Sequence, residues 1–319
     1  MGIRLLNKFL KIKCGKHIQT TSLTKFTNTQ IVVDANIYIY KYKGECALYE
    51  NMFLMCSLFR KHKITPLFVF DGKQEEDKKE ELKIRADNKK QAEQTYKTYE
   101  IKLSSGCAKH EEETIKNKMY KLKKQMIKVK RIEIKQVKEI LQCYGMSYID
   151  APYEADVLCA YLSNKKEFAG CMSDDTDMHV YGTFPVLKYL NLLNETVVVY
   201  DMVNILKSLN ITHDELKKIC ILSGTDYNVR AKYKSPNTIF SYFKEKFLFD
   251  RSSFNDIFEY ECSKNELIDI ELLQSIYKKY DVGSYTLDKY DNLFVENGPY
   301  NFKQLKLLMN KYDFYFIQT

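Results

Sequence analysis

Ala151-Pro152-Tyr153-Glu154-Ala155-Asp156, followed by Ser173-Asp174-Asp175-Thr176-Asp177, is the stretch from which the rest of the chain can be read. Each half holds two acids at i, i+2: Glu154 with Asp156, and Asp175 with Asp177. Both pairs follow an apolar run or open a helix-like segment. Carboxylates crowded in such places are costly unless they share a cation. A hard divalent ion that takes oxygen ligands, Mg²⁺ above all, suits them. Three more acids end or interrupt apolar runs: Asp34 in Ile31-Val32-Val33-Asp34, Asp71 in Leu67-Phe68-Val69-Phe70-Asp71, and Asp226 in Leu222-Ser223-Gly224-Thr225-Asp226. Seven carboxylates, dispersed in sequence and alike in placement, are the donor set that a two-metal phosphodiester-cleaving site needs.

Working outward, the runs before Asp34 and Asp71 are apolar without polar alternation, which suits parallel strands covered on both faces. In such sheets ligands gather at the carboxyl ends of strands, where both acids lie. Each also has a plainer reading, as the N-cap of the next helix. Leu48, Met52, Met55 and Phe59 predict a helix over 46–62, and Ile3, Leu6 and Leu10 a short one over 1–13. Val137, Ile140, Leu141 and Tyr144 form a stripe over 132–145, ended by Gly145. Pro152 is expected at a helix start. Glu154 and Asp156 then fall in the first turn and can share an ion only if Glu154 sits at the cap. Residues 168–172 read as a strand and 173–177 as the loop after it, with Asp174 solvated or supporting its neighbours. Strands are expected at 186–190 and 196–200, joined as a hairpin, and a helix at 214–223. Beyond 235 the chain reads as mainly helical and rich in Phe and Tyr. The fold class is therefore α/β: a twisted, mostly parallel central sheet with helices on both faces.

Residues 73–131 differ in character, being dense in charge and without proline. They predict one or two exposed helices with a break near Ser104-Ser105-Gly106. Lys78 and Arg85, seven apart, share a helix face and either contact phosphates or belong to an ordinary charged surface. The net charge of the 319-residue chain is +8, and residues 115–138 carry ten Lys/Arg against one acid, Glu133. That +9 stretch leaves the remainder nearly neutral. Concentrated basicity favours a polyanionic partner over a general solubility role.

Nine cysteines are scattered without a CxxC pair, which argues against a disulfide framework or a zinc site and for a reducing intracellular compartment. No apolar run is long enough to span a membrane, and no secretory leader is evident. Leu6 breaks the myristoylation pattern begun by Met1-Gly2. No GxxxxGK[ST] loop supports an ATPase. A phosphatase with Asp34 as nucleophile would want an acid two residues on, where Asn36 stands.

The motifs, taken in order, resemble the structure-specific 5′ nucleases of the flap-endonuclease/XPG type. Met1-Gly2-Ile3, Asp34-Ala35 with Ile39-Tyr40, Val69-Phe70-Asp71-Gly72-Lys73, Ala151 to Asp156, Asp175-Thr176-Asp177 and Gly224-Thr225-Asp226-Tyr227 carry the resemblance, in pieces over about residues 1–230. It implies a PIN-like nuclease core over 1–234, with a helical arch or gateway at 73–131. The C-terminal region at 235–319 is expected to be helical and packed on that core. It also implies two Mg²⁺ ions, with Mn²⁺ able to substitute, held by Asp34, Asp71, Glu154, Asp156, Asp175, Asp177 and Asp226. Lys78 and Arg85 would stabilise charge on the scissile phosphate. Tyr40 would stack on a base, and Gly2 would lie by the site. Lys128, Lys130 and Arg131 would meet DNA backbone.

The family's glycine-rich helix–two-turn–helix after the last acid, which binds potassium and duplex, is not matched by Asn228-Val229-Arg230-Ala231-Lys232-Tyr233-Lys234. Duplex contact would then rest on Arg230, Lys232 and Lys234, and K⁺ is not expected. A sliding-clamp peptide is not evident, because Gln304-Leu305-Lys306-Leu307 lacks the paired aromatics. A monomer acting on branched or flapped DNA is expected, in the nucleus, or in the cytoplasm for a cytoplasmic virus. The rival is a DNA-binding architectural protein of the same fold with vestigial acids. Replication, repair and recombination stay open.

Overall fold

The computed structural model describes residues 2–3, 5–72, 79–106, 109–228, 239–240, 257–264 and 268–314. Seven strands form one sheet: β1 (Ile18–Ser22), β2 (Gln30–Asp34), β3 (Thr65–Phe70), β4 (Ser147–Asp150), β5 (Phe168–Met172), β6 (Val186–Asn191) and β7 (Thr196–Tyr200). Their order is β1-β7-β6-β5-β2-β3-β4. The five strands β6 to β4 run parallel, and β7 and β1 add an antiparallel edge.

Alternation along β2 divides the core. Val32 faces one side with Leu67, Val69 and Cys171. Ile31 and Val33 face the other with Phe68, Phe70 and Met172. Both faces are apolar because both are covered. The first carries α1 (Leu6–Cys14), α7 (Ala155–Ser163), α8 (Asp177–Tyr181), α9 (Met202–Leu209), α10 (His213–Ser223), α11 (Ile257–Lys264) and α12 (Ile270–Lys279). The second carries α2 (Ala35–Gly44), α3 (Leu48–Lys61), α6 (Arg131–Cys143) and α13 (Phe302–Asn310).

Between β3 and α6, α4 (Lys79–Ser104) and α5 (Lys109–Gln125) pack together as a hairpin, breaking where Ser104-Ser105-Gly106 predicts. Ala92, Ile115 and Met119 are buried, while most other positions are exposed. Lys118, Lys123 and Lys124 lie over the rings of Tyr99, Tyr96 and Tyr120. At the base of the hairpin, Lys89 reaches the carbonyl of Ile127. Among the described residues no helix is long and apolar enough to cross a membrane.

Two expectations are corrected. Pro152 does not start a helix; α7 begins at Ala155 with Glu154 as its N-cap, the one placement that allows Glu154 and Asp156 to act together. The loop after β5 is shorter than expected, because Asp177 is already the first residue of α8. Of the two readings of Asp174, the supporting one fits the contacts: it pairs with Lys41 at 3.0 Å and accepts the Tyr189 amide at 2.6 Å.

The chain after 268 reaches both faces. Leu273, Ile276 and Tyr280 join the first core cluster, and Leu305, Leu308 and Met309 the second. Between them the backbone crosses the end of α6, where the Gly298 amide donates to the Gly145 carbonyl at 2.7 Å. Gly145 has φ +63°, and a Cβ there would lie 2.6 Å from the Gly298 backbone. Helix termination and close approach therefore both call for glycine.

Candidate active site

The register explains why distant acids meet. Val33 stands opposite both Phe68 and Met172, so the ends of β3, β2 and β5 are level. The chain leaves β2 toward β3 on one side and later fills β5 on the other. The gap between β2 and β5 is thus a switch point, where open α/β sheets bind ligands. Asp34 ends β2, Asp71 follows β3, and Ser173 to Asp177 follow β5.

Asp34 is buried. Its Oδ1 accepts the Ile37 amide at 3.2 Å, capping α2, and its Oδ2 accepts the Ser173 hydroxyl at 2.9 Å. The cap and the candidate ligand are therefore one residue. Burial, reinforced by the Asp71 charge, pushes the Asp34 carboxyl up to about 7, although the two donors pull the other way. Asp175 adds to the push. Asp71 Oδ1 accepts the Ala155 amide at 2.9 Å, and its Oδ2 accepts the Asn36 amide. Next to it, the Gly72 amide donates to the Tyr153 carbonyl at 2.8 Å, and a Cβ on Gly72 would overlap the Ala151 carbonyl. The second and third acidic motifs are thus packed backbone to backbone, with Glu154 at the cap between them.

Asp156 lies close enough to act on the Cys159 thiol together with Asp34, and on Tyr181 together with Asp177. Asp175 Oδ1 accepts the Asp177 amide at 3.0 Å. Asp177 Oδ2 accepts the Tyr280 hydroxyl at 3.0 Å. Burial, then the Asp177 charge, raises that phenol well above its usual range, so it stays a donor. Asp226 Oδ2 accepts Arg85 at 2.8 Å. Its turn is braced by Asn228, which accepts the Thr225 amide at 2.5 Å and donates to the Ile221 carbonyl at 2.8 Å. Gly2, at φ +80°, touches the cluster too: a Cβ would stand 2.3 Å from Thr176 Oγ1, 2.4 Å from Asp175 Oδ1 and 2.6 Å from Asp177 Oδ1. Tyr40 is exposed on α2, where its hydroxyl feels both Asp71 and Arg85.

Gly2, Asp34, Tyr40, Asp71, Arg85, Glu154, Asp156, Asp175, Asp177 and Asp226 therefore gather at one end of the sheet. Lys128, Lys130 and Arg131 lie exposed at the start of α6 instead, where the Lys130 amide donates to the Glu133 carboxylate at 2.7 Å. Lys78, Arg230, Lys232 and Lys234 lie outside the described residues.

Four supporting residues escape sequence reasoning: Asn36, Lys41, Lys188 and Tyr280. Lys188 is fully buried on β6 and donates to the Asp175 carbonyl at 2.6 Å. Burial lowers its ammonium to about 8, against the upward pull of Asp175, Asp174 and Asp177. Its only sequence signal is a charge inside an apolar run, Val186-Leu187-Lys188-Tyr189-Leu190.

Among the described residues no three Asp, Glu, His or Cys side chains converge as a ready-made metal cage. Mg²⁺ does not require one, since it keeps several waters and takes one or two carboxylates directly. The donor set is all oxygen, and Asp34, Asp71 and Asp175 lie together with neutral partners on their carboxylates: Ile37, Ser173, Asn36, Ala155 and Asp177 amides or hydroxyl. A site whose carboxyl is driven toward protonation by burial and by neighbouring carboxylates fits a divalent cation.

The XPG N-terminal domain matches residues 1–92 and the XPG I-region matches residues 145–226. The structure is similar to the catalytic core of Rad2 in complex with DNA substrate, with a TM-score of 0.64 at 23% identity, over 96% of this chain and 93% of that one. That likeness defines the fold. In sequence, the chain is 30% identical over 261 residues to flap endonuclease 1 of Methanococcus aeolicus, covering 76% of each. It is 27% identical over 282 residues to a probable RAD2-like endonuclease of Invertebrate iridescent virus 6, covering 72% of this chain and 67% of that protein. The chain belongs to the XPG/flap-endonuclease family of DNA nucleases.

Proposed function

We propose that this family member is a Mg²⁺-dependent, structure-specific 5′ nuclease that hydrolyses DNA phosphodiesters at flaps or other branched or nicked structures. The carrying observation is the gathering of carboxylates from five separate motifs at the β2–β5 switch point, with Arg85 on Asp226 at 2.8 Å. Two ions held among Asp34, Asp71, Glu154, Asp156, Asp175, Asp177 and Asp226 would supply an activated water and charge neutralisation at the leaving oxygen.

The protein's own contributions are positional. Asn36 and the Ala155 amide fix both oxygens of Asp71, and Ser173 with the Ile37 amide fixes Asp34. Arg85 offers a guanidinium that can exchange a carboxylate for the two oxygens of a scissile phosphate. Tyr40 presents an exposed ring beside Asp71 and Arg85 for a terminal base. The Lys- and Tyr-rich α4–α5 hairpin would act as a gateway for a single strand, by charge and stacking. Residues 1–234 would form the nuclease core and 235–319 a region packed on it.

The test is cleavage of a 5′-labelled double-flap DNA in Mg²⁺, beside EDTA and Asp177→Ala controls. A metal-dependent product cut near the flap base is expected. DNA binding without any cutting would instead assign the chain an architectural role.

A further inference from the structure

Tyr280 closes α12, more than fifty residues beyond the stretch matched by the family's I-region. Nothing in its local sequence, Tyr277-Lys278-Lys279-Tyr280-Asp281, marks it. Yet its side chain is wholly buried and its hydroxyl meets Asp177 Oδ2 at 3.0 Å.

Both ends of the residue are fixed. Its carbonyl accepts Lys217 Nζ at 3.2 Å, from α10. Its amide continues the α12 ladder to Ile276 at 3.3 Å. The ring lies edge-on to Tyr227 at 5.7 Å and tilted against Tyr181 at 4.8 Å. Tyr227 follows Asp226, and Tyr181 ends the helix that Asp177 begins. A single phenol is therefore wedged between the fourth and fifth acidic motifs. A carboxylate with one oxygen held by a rigid donor has its other oxygen's direction set as well, which is how partners behind a ligand tune a metal site.

We propose that Tyr280 is a positioning residue for Asp177, so that the C-terminal helical region completes the active centre rather than merely covering it. The proposal rests on reading Asp177 as a metal-site carboxylate. Tyr280 touches no substrate; it acts through the orientation of Asp177.

Tyr280→Phe removes the hydroxyl and keeps the ring. Mn²⁺ binding to the full-length protein without DNA can be followed by loss of the free-ion EPR signal, together with the metal-free melting temperature and Mg²⁺-dependent cleavage. The expected result is a dissociation constant raised about 10-fold or more, with a matching rise in the Mn²⁺ concentration needed for half-maximal cleavage. A variant that melts earlier but binds Mn²⁺ like the wild type overturns the proposal, because the hydroxyl is then only structural. Asp177→Asn, run in parallel, separates the two readings. If it too binds Mn²⁺ normally, the assignment of Asp177 as a ligand is what fails. Should Tyr280→Phe not fold, 3-fluorotyrosine at position 280 keeps the hydroxyl. Its ¹⁹F resonance should shift on Mg²⁺ addition, and a resonance indifferent to Mg²⁺ overturns the proposal.

Discussion

Replacing Asp34 with asparagine should make the metal-free protein more stable at pH 8, and the advantage should shrink as the pH falls. Asp34 is 4% exposed, and burial with the Asp71 and Asp175 charges lifts its carboxyl from the usual 3.8 to about 7. The folded protein therefore holds this proton more tightly than the unfolded chain. Its contribution to stability is fully present below 3.8 and is lost as pH rises through about 7. At 1.36 kcal/mol per pH unit, the loss reaches about 2 kcal/mol at pH 5 and about 4 kcal/mol at pH 8. Asparagine removes the charge but still accepts the Ile37 amide, because it is as good an N-cap as aspartate. The difference in unfolding free energy between Asp34→Asn and wild type should thus grow by about 2–3 kcal/mol from pH 5 to pH 8. Taking the difference cancels the titrating groups that do not interact with Asp34. Urea denaturation in EDTA at the two pH values measures it. Saturating Mg²⁺ should reverse the order at pH 8, because the ion stabilises only the protein that binds it. A gap that stays constant to within about 0.5 kcal/mol, the size of an ordinary non-additivity, would refute the picture of a like-charged, cation-demanding centre.

Three other variants probe different parts of the site. Arg85→Ala should lower kcat by about 10²–10³-fold, the usual loss when a preorganised transition-state donor is removed. It should barely change the melting temperature, because its pair with Asp226 leaves Arg85 45% exposed. Equal losses of stability and activity would count against a catalytic role. Lys188→Met should cost about 3 kcal/mol in a urea titration, as it strips the Asp175 carbonyl and the neighbouring acids of a buried cation. A neutral result would mean that the ammonium is dispensable to the acidic loop. Gly2→Ala should displace the N-terminal segment, since its Cβ would lie within 2.6 Å of three oxygen atoms of Asp175, Thr176 and Asp177. Cleavage should fall while the thermal midpoint stays within a degree or two, as expected for a terminal segment (~0.5 kcal/mol or less).

What could be read from the sequence follows from where the physics is local. Strands β2, β3 and β5 are unalternating apolar runs ended by acids, so strand, burial and site are announced together. The α4–α5 break is written in Ser104-Ser105-Gly106. By contrast, Ala35 to Gly44 reads Ile-Tyr-Ile-Tyr, a period of two, yet it folds as a helix that buries Ala35, Tyr38, Ile39 and Tyr42. The capping carboxylate of Asp34 and the cover of a β-face override the strand-like pattern. Strand β1, Ile18-Gln19-Thr20-Thr21-Ser22, has almost no apolar signal, because it is an exposed edge whose only task is to pair with β7. Both omissions are tertiary in origin.

The supporting residues of the site were hidden for a sharper reason. A carboxylate announces itself at a strand end, but the group that fixes its orientation can arrive from anywhere in the chain. Asn36 reaches Asp71 across 35 positions, Lys41 reaches Asp174 across 133, and Tyr280 reaches Asp177 across 103. Their distribution also places the charge imbalance. The described cationic contacts to these acids fall at the margins, with Arg85 on Asp226 and Lys41 on Asp174, while Lys188 meets a carbonyl behind the loop. Among the described residues, the hydrogen bonds to Asp34, Asp71 and Asp175 come from amides and hydroxyls, which orient a carboxylate without neutralising it. The described contacts thus hold these oxygens in place, and a divalent cation from solution would supply balancing charge. That is why the same centre that costs the metal-free protein stability at high pH is the one that should respond most to Mg²⁺.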